Sequence, residues 1–499
     1  MWINLIVAVL LVAVYWVRQR LSYWKQRGVP YVEPSFPQGN LAGVGKKHHM
    51  SQILQNCYKQ LKGTGSPFGG IFFFINPVAL VTDPELIKTV LVKDFPYFHD
   101  RNLYHNDRDD PLSRHLVAME GTKWKNLRTK LTPTFTSGKM KMMFSTVTAV
   151  AEEFGKCMAQ EITANPVVEM KDLLARFTTD VIGSVAFGLE CNSLKDPNAT
   201  FRVMGRKVFQ ASPYRALKVF LSAQFPKIAR ALHVKLTAPD VSEFFMGVVK
   251  DTIQYRTKND VQRNDFMTLL MKIMKEQVEN GTGDQQDHLT MDDIAAQAFV
   301  FFLAGFETSS TAMSFCLYEL ALHQELQERA RQNVEEVLQK HGTLSYEAVH
   351  EMKYIEMCIN ESLRKYPPAT TLTRRVENDY RVAGTDQVLQ KGIMVAVPVY
   401  ALQHDPDHFP DPERFDPERF SPEQSEKRHP YVFLPFGEGP RVCIGLRFGM
   451  MQARIGLVYL LKNFRFTLAT DRMSVPLKIS PASPILTIDG GLWLNVEKL

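Results

Sequence analysis

The first apolar stretch of the chain runs from Trp2 to Val17 with Asn4 as its strongly polar interruption, and Arg18, Arg20, Lys25 and Arg27 follow at once. It is slightly shorter than the roughly 20 apolar residues of an ideal membrane span. Leu21, Tyr23 and Trp24 can extend it into the interface while the basic side chains snorkel. A cleaved signal would carry its charges before the apolar run and a small-residue site after it. The reversed order predicts a retained membrane signal anchor with its basic flank over residues 1–27, the N-terminus lumenal and the remainder cytosolic. The next segment, 28–39, is rich in Pro and Gly, and its spaced prolines predict an extended hinge. No internal repeat and no second linker follow, so 40–499 reads as one domain.

Within that domain helical patterns dominate. Thr290-Met-Asp-Asp293 resembles a capping box with Asp in place of Glu, opening an apolar helix that runs to about His323. A polar helix is predicted from Gln324 to Lys340, and another around Glu351 to Lys365 that stops at Pro367-Pro368. Strand patterns are short and mostly late: Val78–Val81, Tyr380–Val382, Ile393–Val399, and a closing hairpin around Gly490-Gly491. The expected fold is mainly α with a small β portion.

Composition then narrows the function. With 499 residues, 45% hydrophobic and 22% charged, the chain can bury a large core and is not disordered. The net charge of +6 comes without any Lys/Arg run interleaved with stacking aromatics, so no nucleic-acid partner is expected. Six cysteines without a CxxC pair argue against a disulfide framework or a zinc knuckle, and for a reducing compartment.

The densest chemistry lies in Phe433-Leu-Pro-Phe436-Gly437-Glu438-Gly439-Pro-Arg441-Val-Cys443-Ile-Gly445. Two glycines ahead of the cysteine permit a tight loop with backbone near the sulfur. The cysteine then sits at the mouth of an apolar helix, Ile444 to Leu461, whose dipole favours a thiolate. A lone Cys is ordinarily a small buried hydrophobe, which suits the other five. It does not explain Phe436, both glycines, Arg441 and Gly445 together.

On the long apolar helix Ala296, Val300, Ala304 and Thr308 recur every four residues, giving one face small or hydroxylic side chains that a flat cofactor could approach. Thr308 can bond back to the Ala304 carbonyl, and Glu307 adds a titratable group suited to relaying protons. Glu361-Ser-Leu-Arg364 gains meaning from the proline stop after it and from Pro417-Glu-Arg419-Phe420 downstream; Pro412-Glu-Arg414-Phe415 duplicates that tetrapeptide. Trp124 and Arg128 share a helix face and could clasp an acidic group.

Phe436 through Gly445 matches FxxGxRxCxG, the haem-binding signature of the cytochrome P450 family, at every fixed position. Ala304–Thr308 resembles its oxygen-activation motif AGxET, Glu361–Arg364 its ExxR and Trp124–Arg128 its WxxxR helix. The chain is similar to that family from anchor to C-terminus, and Met352-Lys-Tyr354 and Phe409–Phe420 look most like insect microsomal members of family six. The resemblance implies a P450 fold and a haem b (iron protoporphyrin IX) cofactor with Cys443 as the iron ligand. It implies that Arg441 pairs with a haem propionate, Trp124, Arg128 and Arg375 being further partners and Arg101 a weaker one, and that Phe436 and Ala304 lie against the cofactor. It gives Thr308 and Glu307 catalytic roles, and Glu361, Arg364 and Arg419 a buried charged triad supporting the cysteine loop; Arg419 is preferred to Arg414 because it sits nearer that loop. The activity implied is monooxygenation of a lipophilic small molecule with dioxygen, such as a plant toxin, insecticide or other xenobiotic. Electrons would come from NADPH-cytochrome P450 reductase, with cytochrome b-five a second candidate donor, at the endoplasmic reticulum (microsomal) membrane. The pocket is expected along the segment after Asp100, Val208–Pro226, Val300–Thr308, Pro367–Thr373 and Ala482–Leu486.

Three rivals compete. A fold relative that isomerises peroxides would tend to lose the Glu307–Thr308 pair. A haem gas sensor would need neither anchor nor proton relay. A non-haem metal site on His404 and His408 is disfavoured by the prolines between and beside them.

Overall fold

The computed structural model describes residues 2–210, 212–280 and 289–499, and the architecture is mainly α with a small β portion. Its axis is the Met291–Leu322 helix. The Thr290 hydroxyl accepts from the Asp293 N–H while the Asp293 carboxylate accepts from the Thr290 N–H, so the substituted capping box closes as expected. The helix is long and apolar enough to cross a membrane, but 67% of its most apolar window is buried in protein. It is apolar nearly all round because helices Met170–Ile182, Pro239–Asn259, Lys353–Lys365 and Leu446–Asn463 enclose it.

The main sheet has four strands in the order Phe68–Phe73, Asn76–Val81, Met394–Val397, Leu372–Arg375, with the central pair parallel and the outer pairs antiparallel. A second, antiparallel sheet joins Val167–Glu169, Trp493–Lys498 and Phe464–Leu468. Helices Gln324–His341 and Lys353–Lys365 lie where the periodicity puts them. Two local readings need correction. Val399 opens a short helix instead of ending a strand. The turn at Gly490 and Gly491 exists, both with positive φ, but the strand after it pairs with Phe464–Leu468 and Val167–Glu169 and not with the residues just before it.

The chain entering the domain also differs from the hinge expected over 28–39. Trp24 is buried to 1% exposure and its indole N–H donates to the Ile71 carbonyl at 3.1 Å. A Cβ on Gly70 would stand 2.2 Å from the Trp24 ring, so glycine is required there. Gly70 donates to the Pro30 carbonyl at 2.7 Å and accepts from the Val32 N–H at 3.0 Å. Proline keeps an accepting carbonyl and an extended φ, so this segment is an edge of the sheet, not a free spacer. The packed unit therefore begins near Trp24, ahead of residue 40. Before it, helix Trp2–Leu21 exposes Trp2, Ile3, Leu5, Leu11, Val12 and Tyr15.

Candidate active site

Gly437 and Gly439 both take positive φ (72° and 73°), and a Cβ on Gly439 would meet the Leu91 carbonyl oxygen at 2.1 Å. The loop folds back so that the Cys443 N–H donates to the Phe436 carbonyl at 2.9 Å, and helix Leu446–Asn463 starts three residues later. Phe436 is partly buried against the helical core. Cys443, unlike the other cysteines, is accessible. Burial pushes its thiol up, while the Gly445 backbone N–H and the Arg101 and Arg128 guanidiniums act the other way and favour the thiolate. The other five cysteines are buried or half-buried; burial raises Cys57 to about 11 and moves Cys157 in the same direction.

Around this loop lies a cluster of buried cations. Arg441 donates to the His99 carbonyl (2.8 Å), the Met119 carbonyl (3.0 Å) and Asp100 (3.1 Å), and its guanidinium stacks 3.8 Å from the Trp124 ring centroid. Arg101 donates to the Arg441 carbonyl at 2.9 Å, and Arg128 to the Val442 carbonyl at 3.0 Å. Arg374 and Arg441 are each 2% exposed, and the Nε of Arg374 and Nη1 of Arg441 have no hydrogen-bond partner among the described residues. Burial, with Arg101 adding like-charge repulsion at both, brings each of these two guanidiniums down to about 9. Arg441 shares Asp100 with Arg375, Arg374 has no acidic partner among the described residues, and each leaves a guanidinium nitrogen unused, which fits a group carrying more than one carboxylate, as haem does.

Arg375, expected in this cluster, is not in it. It pairs with Glu120 at 2.8 Å, Glu377 at 2.9 Å and Asp100 at 3.1 Å. Successive strand residues point to opposite faces, and Leu372–Arg375 turns Arg374 inward. Sequence alone points to Arg375; the strand phase that turns Arg374 inward is set by pairing with Met394–Val397. Arg128 likewise braces the cysteine loop through Val442. His99, Asp100 and Glu377 bring ligand atoms within 4.8 Å of one another, but Arg375 and Arg441 already neutralise the two carboxylates. His404 stacks on Tyr400 with its Nδ1 against the Tyr400 carbonyl at 2.8 Å, so it is not paired with His408 as a ligand.

On the central helix Ala296 and Val300 are closed over by protein, which narrows the open face to Ala304 and Thr308. The Thr308 hydroxyl donates to the Ala304 carbonyl, and burial raises the Glu307 carboxyl against the pull of Lys171 and Arg202. Glu361 and Arg364 are fully buried and joined by two bonds of 2.7 and 2.9 Å; Arg419 reaches Glu361 at 3.4 Å and the Asp416 N–H donates to it at 3.0 Å. Arg414 is exposed. Gln403 went unnoticed in the sequence, where nothing marks it. It accepts from the Leu434 N–H at 3.0 Å, receives Arg364 on its carbonyl at 2.8 Å, and so ties the triad to the cysteine loop.

An accessible thiol at a helix mouth, a cationic cradle and an acid–alcohol pair on a long apolar helix fit a haem-thiolate oxygenase site. The family model for cytochrome P450 matches residues 33–490. Cytochrome P450 6A1 of Musca domestica is 46% identical, covering 98% of this chain and 96% of that protein. Cytochrome P450 6a2 of Drosophila melanogaster is 44% identical over 100% and 99% respectively, and probable cytochrome P450 6a14 of the same fly is 46% identical over 96% of each. The chain belongs to the cytochrome P450 family. It is a haem monooxygenase, and it requires dioxygen, a substrate and a redox partner.

Proposed function

We propose that this monooxygenase holds haem b on Cys443 and oxidises lipophilic xenobiotics of the plant-toxin and insecticide kind, with electrons from NADPH-cytochrome P450 reductase. Helix Trp2–Leu21 would anchor it in the endoplasmic reticulum membrane, the packed domain on the cytosolic side. The observation carrying the cofactor assignment is the pair of buried, unpartnered guanidinium nitrogens on Arg374 and Arg441, close to an accessible thiol. Arg101, Arg374 and Arg441 would hold the two carboxylates of haem, and Trp124 stiffens Arg441 from its ring face. When bound, haem supplies the redox chemistry that activates dioxygen. The chain's own part is to hold the sulfur, exclude water and deliver protons. The Gly445 N–H, Arg101 and Arg128 favour the thiolate against burial, which raises the thiol; Glu307, whose carboxyl burial also raises, would relay a proton toward Thr308.

The likeness to family-six relatives and the apolar pocket-lining stretches support the substrate class; Ala211, within one of those stretches, lies outside the described residues. No flavin-binding signature occurs in the sequence, so electrons come from outside. A cleft of about 550 Å³ lined by Trp124, Lys125, Arg128 and Pro440 lies beside the cysteine loop and suits an acidic donor. Lys125 is the lysine among the residues lining that cleft, while Lys123, two residues before it, pairs with Asp107 at 3.5 Å. Retention of Glu307 and Thr308 favours oxygen activation over peroxide isomerisation. The test is reconstitution of the purified protein with NADPH-cytochrome P450 reductase and a panel of lipophilic toxins, scoring substrate-induced difference spectra and product. Spectral binding with NADPH-dependent product is expected. A panel that neither binds nor turns over, while the protein carries intact haem, would overturn the substrate class.

A further inference from the structure

Arg428 follows the exposed helix Pro422–Lys427 in extended backbone (φ −86°, ψ 139°). It is half-buried, yet it makes no ion pair among the described residues. Its guanidinium carbon lies over two rings instead, 4.5 Å from the Phe420 centroid and 5.0 Å from that of Phe409. Its Nη2 donates to the Arg419 carbonyl. Phe409 is 1% exposed and also carries the Arg364 guanidinium at 5.4 Å. Phe420 packs on Phe433 with 4.6 Å between ring centroids and 56° between the ring planes. Phe433 precedes Leu434, whose N–H Gln403 holds, so two neighbouring residues at the start of the cysteine loop are gripped by different means. A path of ring and guanidinium contacts therefore runs from Arg364 through Phe409, Arg428 and Phe420 to Phe433.

The chemistry of Arg428 suits that path better than it suits charge balance. Arg364 and Arg419 already flank the one carboxylate of Glu361. A third guanidinium nearby adds repulsion: burial brings Arg428 down to about 10, with Glu361 acting against it and Arg364 and Arg419 pushing the same way. Ring faces attract a cation without offering it a counter-charge, and a flat guanidinium stacks on them where a compact ammonium does not.

We propose that Arg428 is a positioning residue for the iron ligand: its stack on Phe409 and Phe420 carries the order of the Glu361 triad to Phe433, and so holds the loop in which the Cys443 N–H meets the Phe436 carbonyl. The proposal rests on the haem-thiolate reading above. It involves no redox step; a loosened loop lets the Cys443 sulfur withdraw or take a proton from water.

The test uses the haem-loaded full chain. Loss of the carbon-monoxide band of thiolate ligation is timed in denaturant, at the same fraction of each variant's own unfolding midpoint. On that scale a role in stability alone leaves the rate unmoved. Arg428→Met should speed the loss about tenfold, the size of one partly desolvated cation–ring contact. Arg428→Lys keeps the charge without the flat stack and should still speed it about threefold or more. Phe420→Leu should match Arg428→Met, and the double variant should exceed either single one by less than about twofold, because both act along one path. Arg414→Gln, off that path, should leave the rate unchanged. If Arg428→Met does not take up haem, Arg428→Lys and Phe420→Leu decide the matter. Wild-type rates in both of those, or full additivity in the double variant, would overturn the proposal. A wild type without the thiolate band would instead overturn the reading on which it rests.

Discussion

The sequence holds two copies of Pro-Glu-Arg-Phe, and the structure separates them. Arg419 lies 3.4 Å from Glu361 and donates to the Asp411 carbonyl at 2.9 Å, whereas the Arg414 side chain is exposed. Glu361 is the shared anion of Arg364 and Arg419 and has no exposed surface. Burial pushes its carboxyl up, and Arg364, the Asp416 N–H and Arg419 pull it back. Glu361→Gln keeps the shape but leaves two guanidiniums without their counter-charge, at a cost of about 3–5 kcal/mol. That is a large share of the roughly 5–15 kcal/mol that holds a typical fold. Arg419→Gln leaves the Glu361–Arg364 pair intact and removes one charged contact, about 1.5–3 kcal/mol. Arg414→Gln should stay within about 0.5 kcal/mol, as an exposed change does. The assay is the denaturant midpoint of haem-loaded protein, together with the haem-loaded fraction from the carbon-monoxide spectrum. A Glu361→Gln, Arg364→Met double variant should regain part of the loss, because it removes an unpaired charge. The reasoning fails if Arg414→Gln costs as much as Arg419→Gln, or if Glu361→Gln is neutral.

Cys443→Ala should abolish the strongly red-shifted band of the reduced carbon-monoxide complex; an unchanged spectrum would refute the ligand assignment. Thr308→Ala should retain haem and substrate binding while product per NADPH falls by about 10²–10⁴-fold and peroxide rises; wild-type stoichiometry would show the hydroxyl to be idle. His404 is held down to about 3, by burial and then by Arg364. The unfolded chain therefore takes a proton near 6.5 that the folded chain refuses, and stability should fall by about 1.4 kcal/mol per pH unit from there down to about 3. A His404→Phe variant should flatten that slope in acid denaturation curves. Deleting residues 2–20 should release the protein from membrane pellets with haem intact, whereas deletion through Trp24 should abolish soluble haem-loaded protein, which sedimentation and the carbon-monoxide spectrum would report.

Legibility in the sequence followed the range of the interaction. The capping of the central helix by Thr290 and Asp293 is set within four residues, and the sequence carries it in full. The cysteine loop is also local: two glycines with φ near 70°, an arginine and a cysteine at a helix mouth are one continuous signal. Trp24 was harder, because a tryptophan after an apolar run looks like an interfacial anchor until Gly70, far along the chain, leaves the space it fills. Arg374 and Arg375 differ only by the phase of a four-residue strand, and that phase is set by pairing with Met394–Val397. The last strand shows the same limit, since its partners at Phe464–Leu468 and Val167–Glu169 are remote and its preceding glycine turn is misleadingly local. Gln403 and Arg428 are ordinary residues whose importance lies in the buried groups they meet.

The charge arrangement around Cys443 predicts that cofactor binding and folding depend on each other. Arg101, Arg128, Arg374 and Arg441 converge there, and Asp100 is the acid that Arg441 meets, shared with Arg375. Each buried guanidinium raises the cost of its neighbours: Arg374 feels Arg101, Arg441 feels both, and Arg101 feels Arg128. Without further anions such a cluster opposes folding, because desolvated like charges repel and two donors stay unused. On the proposed assignment, the two carboxylates of haem would pair with those donors. Arg101 and Arg128 also favour negative charge on the sulfur, so thiolate formation and haem retention would strengthen each other. The triad at Glu361 works the other way: its charges are balanced inside the protein, and through Gln403 it can hold the cysteine loop whether or not the cofactor has arrived. One cluster is thus complete in the chain itself, and the other is completed by what it binds.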